Sequence, residues 1–538
     1  MTVELSSAVA FVPRSGETWR DPFGMYAALR DHDPVHHVDH GDYWVLSRFA
    51  DVFAAARDTA TFSSAKGLTF RYGDMDAAGL AEATPIVMLD PPEHTAFRRL
   101  LARGFTPRQV AELEPTVRAF VGERLDGLCR RGEGDIVAEL FKPLPSMVVA
   151  HYLGVPEADR GRFDGWTDAI VAANAEGDPL AAPHAVAELF EYFTDLIERR
   201  RRDPGDDTIS ELIAAGAGDD GDEVGEPVPL LRVLGFAFTM VAGGNDTTTG
   251  LLGGAAELLT ERPDQRTRLI DAPERIGDAV DELLRLTSPV QGLARTTTRD
   301  VPIGDTTIPS GRKVLLLYGS ANRDPREFGD DAEQLRVDRR PRQIMTFGYG
   351  AHHCLGAAAA RLQARVTLEE LLRRCPGFSV DASAGRFAGG NHVRRYESLP
   401  FRARATRAGG CRAPFGCAPS GPAWPPSSCS TPPARCSPGM GWRRCRWATW
   451  RTPRAAPGPP STVTSTARTP CVRRTSTARP AGSAPRSPTG SAASTIPVSG
   501  WSRPWPPGSG WCGTTSPSLP GSRRTTPAAR RAWRSRPR

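Results

Sequence analysis

The chain has 538 residues and a net charge of +7, but 21 arginines beyond Thr406 stand there without one Lys, Asp or Glu, so residues 1–406 carry −14. The basicity belongs to the tail, and the body is an acidic chain long enough to bury a sizeable core. Its three cysteines, Cys129, Cys354 and Cys375, are too few for a disulfide framework, and Met1 to Pro13 carry neither a basic n-region nor an apolar run near the ~20 residues of a membrane span. The expectation is a soluble, cytoplasmic protein.

Taken in chain order, the body reads as mainly helical with short strands. His32, His36, His37 and His40 cluster near the start; a half-exposed strand with flanking loops explains them better than a metal site. Tyr43 to Leu46 predicts a strand and Phe49 to Arg57 a short helix. Met88-Leu89-Asp90-Pro91-Pro92-Glu93 leads into a helix in which His94 and Arg98, four apart, share a face. Pro107 to Cys129 and Ala185 to Arg202 are long amphipathic patterns. Asp203 to Asp222, rich in Asp and Gly, predicts largely a surface loop. Leu230 to Leu259 is the most apolar long helix and should be central. It holds Ala242-Gly243-Gly244-Asn245-Asp246-Thr247-Thr248. Two glycines within a helix cost about 1 kcal/mol each against Ala, but they let a flat ligand approach the backbone. Asp and Thr beyond them can open the helical ladder and admit water.

Ala279 to Leu286 predicts a helix, with Glu282 and Arg285 on one face. Val314 to Tyr318 predicts a buried strand. Ile308-Pro309-Ser310-Gly311 and Ala321-Asn322-Arg323-Asp324-Pro325 are turn-forming scaffold. Then comes Phe347-Gly348-Tyr349-Gly350-Ala351-His352-His353-Cys354-Leu355-Gly356, a glycine-punctuated loop that delivers one cysteine to the start of a helix ending at Arg374. Unpaired N–H groups at a helix start favour a thiolate. A zinc site from His352, His353 and Cys354 is disfavoured, because three consecutive side chains converge poorly on a tetrahedron.

This loop resembles the haem-binding segment of the cytochrome P-450 superfamily, Phe, Gly, any, Gly, any, His, any, Cys, any, Gly, and matches it at every fixed position. With the segments before it, the resemblance covers about residues 15–404. It implies a mainly α cytochrome P-450 fold, a helical domain with small β-sheets around a buried haem b, over residues 1–405. It implies Cys354 as the axial ligand of the haem iron, with Phe347, Gly348 and Gly356 shaping the loop. His94, Arg98, Arg295 and His352 would meet the haem propionates. Asp246 and Thr247 would relay protons to oxygen. Glu282, Arg285 and Arg339 would form a buried structural network. Val241, Ala242, Val290, Gln291 and Leu293 would line a substrate pocket, under cover from Ala65 to Val87 and Phe163 to Pro183. Leu335-Arg336 departs from the family's usual Phe-Asp, and Ile344 stands where many bacterial members carry His.

The implied activity is hydroxylation or epoxidation of a hydrophobic small molecule, such as a lipid, steroid, terpenoid or polyketide. No strand-Gly-x-Gly-x-x-Gly-helix fingerprint is found, and the tail cysteines lack the Cys-x-x-Cys spacing of iron–sulfur ligation, so ferredoxin and ferredoxin reductase would be separate proteins. Arg98 to Arg103 and Arg361 to Arg374 could present a basic face to that ferredoxin. A peroxide-driven relative usually lacks the acid–alcohol pair, and a non-catalytic haem sensor has no need of it.

Residues 406–538 are of another kind. Pro, Ser, Thr, Ala, Gly and Arg dominate, yet eight of the eleven tryptophans and seven of the ten cysteines lie here. No periodic apolar pattern exists to offset chain entropy. The composition reads as out-of-frame translation of a GC-rich gene; a basic arm for nucleic acid is the other reading. Deleting residues 407–538 is expected to leave haem content and turnover unchanged, measured side by side with the full chain.

Overall fold

Apolar residues at helical spacing account for most of the body. The computed structural model describes residues 9–73, 84–175, 182–215 and 229–403, all within the first of two units, Met1–Gly421. The tail, residues 406–538, lies outside them. Helices α1 (Phe23–His32), α2 (Phe49–Arg57), α3 (Glu93–Leu101), α4 (Pro107–Glu112) and α5 (Glu114–Arg131) come first. There follow α6 (Pro143–Tyr152), α7 (Arg160–Ala175), α8 (Pro183–Arg202), α9 (Thr208–Ala215) and α10 (Leu230–Glu261). The set closes with α11 (Pro263–Asp271), α12 (Ile276–Thr287), α13 (Tyr318–Ala321), α14 (Pro325–Phe328) and α15 (Ala357–Arg374).

Two expectations need correction. The pattern from Pro107 to Cys129 is two helices, not one, because Leu113 and Pro115 break it: a proline has no N–H for the preceding turn. Asp203 to Asp222, expected to be largely loop, contains the helix α9 from Thr208 to Ala215. Its Ile209 and Leu212 are fully buried, and that burial outweighs the acidic flank. Residues 216–222 lie outside the described part.

A five-stranded sheet runs in the order β1 (Val35–Val38), β2 (Tyr43–Leu46), β8 (Lys313–Leu316), β5 (Leu293–Thr297), β3 (Phe62–Ser63). β2 and β8 are parallel, and β5 returns antiparallel with Arg295 opposite Val314. The predicted strand ends at Leu316, because Tyr318 already starts α13. Two hairpins, β6 (Val301–Ile303) with β7 (Thr306–Ile308) and β10 (Arg386–Phe387) with β11 (Tyr396–Ser398), are separate. A third sheet orders β4 (Glu133–Asp135), β12 (Pro400–Arg402) and β9 (Ser379–Val380). His36 and His37 sit in β1 and bond to Asp33 and to Asp39 and Asp42; among the described residues no cluster of His, Cys, Asp or Glu is placed to hold a metal ion. No helix among the described residues is long and apolar enough to cross a membrane.

α10 runs through the body for 32 residues and buries Val233, Phe236, Ala237, Leu251, Leu252 and Leu259 along its length. Each of the Val, Phe and Leu side chains contributes roughly 1.5–3 kcal/mol through burial, the Ala methyl less. α5 packs beside α15, and there Cys129 and Cys375 form a disulfide. Three cysteines are too few for a disulfide framework, but two of them form this one bond. The two lie 246 residues apart, a juxtaposition that only the helix packing creates.

α12 is tied to the downstream chain by charge. Glu282 and Arg285 are both 0 % exposed, with Arg285 Nε donating to Glu282 Oε2 at 2.7 Å and Nη2 to Oε1 at 2.9 Å. Arg339 Nε donates to Glu282 Oε1 at 3.2 Å and its Nη2 to Asp331 Oδ1 at 2.7 Å. The three residues expected to meet thus do so. Arg285 Nη1 also donates to Asn322 O and Ala332 O, 2.7 Å each. Asn322 in turn bonds Met345 N and Thr346 Oγ1, just before Phe347. Replacing Glu282 with Ala strands a buried guanidinium. The expected loss is about 3–5 kcal/mol of stability, read by denaturant unfolding, with haem content falling in parallel.

Candidate functional site

The cysteine loop is built by two residues in left-handed backbone, Gly348 at φ +64° and Gly350 at φ +70°. At Gly350 a Cβ would also stand 3.1 Å from Ala56 O on α2. Gly348 N donates to Met345 O at 2.8 Å, and Cys354 N donates to Phe347 O at 2.8 Å, closing the loop. The Arg361 guanidinium covers the Phe347 ring at 4.6 Å. Ile344, the departure from the family pattern, packs its side chain against the apolar core.

Cys354 is the one free cysteine among the described residues, and it is exposed. Surrounding protein nevertheless pushes its thiol pKa up; the Gly356 N–H, Arg98 and Arg361 act in the opposite direction. The expected helix-start effect is therefore present but outweighed. A thiol in this setting needs a further positive partner to ionise, and an iron is such a partner.

Four basic side chains converge beside the loop. The rings of His94 and His352 lie 4.2 Å apart. Arg98 Nη2 donates to His353 O at 2.5 Å, and Arg295, only 4 % exposed, donates to Ala294 O at 2.8 Å. Burial, Arg295, His94 and Arg98 push the His352 pKa down to about 3. His94 is 2 % exposed, and its Nδ1 has no hydrogen-bond partner. Such a cluster calls for anionic ligands, and a haem carries two carboxylates.

On α10, a Cβ at Gly243 would meet nothing within 4 Å, whereas one at Gly244 would strike Val149 at 2.9 Å. Gly243 thus leaves helix backbone open on one side. Thr247 lies one turn on and donates to Gly243 O at 2.9 Å. Asp246 points elsewhere. Its carboxylate is buried and accepts from Arg395 Nε at 2.6 Å. Burial raises the Asp246 pKa to about 6, against the pull of Arg395. Arg395 is a residue that sequence reasoning missed. A signal existed: Gly250, Gly253 and Gly254 at helical spacing mark a face where another chain segment comes close.

The substrate-pocket expectations divide. Ala242, Val290 and Leu293 are half-buried, as a cavity wall would be. Val241 is fully buried in the core with Val149, Phe236 and Ala237, on the helix face opposite Gly243. Gln291 is 1 % exposed and turned away; its Oε1 accepts from Tyr26 OH at 3.1 Å and its Nε2 donates to Ser288 O at 2.6 Å. It serves the end of α12. Of the expected cover, residues 74–83 and 176–181 lie outside the described part. The basic face expected of α15 is also corrected. Arg361 pairs with Asp281, Arg365 with Glu114 and Glu369, Arg373 with Glu370, and Arg374 with Glu370 and Asp126.

The family model described as Cytochrome P450 matches residues 277–382. Cytochrome P450 130 of Mycobacterium tuberculosis (strain ATCC 25618 / H37Rv) is 64% identical over 394 residues, 72% of this chain and 96% of that protein. Vitamin D(3) 25-hydroxylase of Pseudonocardia autotrophica is 36% identical over 370 residues, 68% of this chain and 89% of that protein. The crystal structure of CYP109E1 from Bacillus megaterium in complex with testosterone superimposes with a TM-score of 0.63 at 31% identity, covering 72% of this chain and all of that one. The chain belongs to the cytochrome P450 family. It is accordingly a haem-dependent monooxygenase. Replacing Cys354 with Ala is expected to abolish the red-shifted Soret band that the reduced protein shows with carbon monoxide, while any haem still bound retains an ordinary spectrum.

Proposed function

We propose that the protein hydroxylates or epoxidises a hydrophobic small molecule, of lipid, steroid, terpenoid or polyketide type, using O2 and two electrons from a separate ferredoxin and ferredoxin reductase in the cytoplasm. Cys354 would hold the haem iron, and His94, Arg98, Arg295 and His352 its propionates. Bound haem supplies the activation of oxygen and the attack on a C–H or C=C bond. The chain's own residues do the rest. The apolar wall at Ala242, Val290 and Leu293 orients an apolar substrate and displaces water. Asp246 holds a proton at its carboxyl, and Thr247 Oγ1 passes it on toward the open face at Gly243.

The observation that carries this reading is the open helix backbone at Gly243 with the Thr247 hydroxyl bonded to it one turn on. With its pKa raised to about 6, Asp246 can both hold and release a proton near neutral pH. A relative named for hydroxylating vitamin D(3) and one solved with testosterone support the apolar substrate class. Thr247→Ala tests the reading. With ferredoxin, its reductase and a ligand chosen from steroid, fatty acid and macrolide panels by spectral shift, product formed per NADPH consumed should fall several-fold and peroxide should rise. Unchanged coupling would remove Thr247 from the proton path.

A further inference from the structure

The side chain of His352 is bonded outside its own loop. Its Nε2 lies 3.2 Å from the Oγ of Ser64, a residue 288 positions earlier and 0 % exposed. Ser64 directly follows β3, where Ser63 pairs with Thr296 of β5. The chain then turns, Gly67 N donating to Ser64 O at 3.0 Å, and rejoins β5 where Ala294 N donates to Leu68 O at 2.7 Å. A buried lysine of the neighbouring strand β8 braces this turn. Lys313, 1 % exposed, donates through Nζ to Lys66 O at 2.5 Å and to Gly67 O at 3.3 Å. Ser64 therefore has little freedom to move.

Asp90 is the second anchor of the same turn. One of its carboxylate oxygens accepts from Ser63 Oγ, and the other accepts from Ser64 N at 2.8 Å. Its backbone carbonyl accepts from His94 N at 2.9 Å, at the start of α3. The His94 ring in turn lies 4.2 Å from the His352 ring. Asp90, Ser64, His352 and His94 thus close a ring of contacts drawn from three stretches of chain. Hydrogen bonds to a carboxylate are stronger than those between neutral groups, so Asp90 is the firmest link. A residue that bonds one ring nitrogen of an imidazole fixes both its orientation and its tautomer. The Ser64 N–H is taken by Asp90, which leaves the hydroxyl for His352. When that hydroxyl donates to Nε2, a neutral imidazole carries its proton on Nδ1, and that N–H can donate to a carboxylate.

We infer that Asp90 is a positioning residue for the haem propionates: through Ser64 it holds His352 with its proton on Nδ1, and through the first turn of α3 it holds His94 beside that ring. This rests on the proposed function, which assigns His94 and His352 to the propionates, and it adds what prepares the two imidazoles. Asp90 and Ser64 act at one remove, by fixing groups that make the contact.

The test uses the haem-loaded full chain. Transfer of haem to excess apomyoglobin measures how firmly the group is held, and resonance Raman reads the propionate bending band. Ser64→Ala and Asp90→Ala should each speed haem transfer about tenfold and shift that band. The red-shifted Soret band of the reduced protein with carbon monoxide should stay in place, because Cys354 is untouched. Asp90→Asn keeps one acceptor for the Ser64 amide and should fall between Asp90→Ala and the parent. In a chain already carrying His94→Ala and His352→Ala, Asp90→Ala should add nothing further. The same acceleration there as in the parent, or a Ser64→Ala protein with unchanged transfer and an unshifted band, would overturn the inference. If His94→Ala with His352→Ala holds haem as the parent does, the assignment of the propionate ligands fails and takes the inference with it.

Discussion

A carboxylate gripped by two arginines away from solvent holds the cysteine loop where it is. Glu282 alone would be intolerable at that depth, and so would Arg285; together they satisfy each other and leave donors to spare. Arg285 spends those donors on the carbonyls of Asn322 and Ala332. Asn322 then fixes Met345 and Thr346, and Thr346 reaches back to Leu284 O at 2.8 Å. The Phe347 carbonyl that receives the Cys354 amide is therefore connected, bond by bond, to α12. The sulfur's position is inherited from electrostatics more than from apolar packing. A loop whose glycines permit many conformations needs such an external frame to keep one of them.

α10 uses glycine for two opposite ends. At Gly243 the missing side chain leaves backbone open to whatever lies beside it. At Gly250 and Gly254 it lets neighbours in: Arg394 O would be 2.7 Å from a Cβ at Gly250, and Thr287 Cγ2 would be 2.7 Å from one at Gly254. The first use makes room for a flat group, and the second brings in a guanidinium. Both weaken the helix locally, and its long apolar faces offset that loss.

Much of this is legible in the sequence. The cysteine loop is, because fixed glycines and one cysteine leave few structural readings. So is the Glu282–Arg285 pair, because i, i+3 charges share a helix face. Its third member, Arg339, comes from family resemblance and not from spacing. What stays hidden depends on distant chain. The Cys129–Cys375 bond arises only when α5 packs on α15. Gln291 reads as a pocket residue by position, but Tyr26 and the end of α12 claim its amide. The arginines of α15 look like a basic surface until Glu114 and Asp126, from a helix far earlier, neutralise them. α9 is obscured because its acidic flank outweighs, in composition, two residues whose burial decides its structure.

The pairing of Asp246 with Arg395 has a consequence for how the protein is made. The acid emerges from the ribosome with the central helix, but its guanidinium is among the last of the described residues to be synthesised. Until then the carboxylate has no cation of its own in the C-terminal segment, and long-range contacts of this kind form late. A nascent chain can therefore assemble most of its helical core before the buried acid of that core meets its cation, and 143 residues are still to be added once Arg395 has been joined.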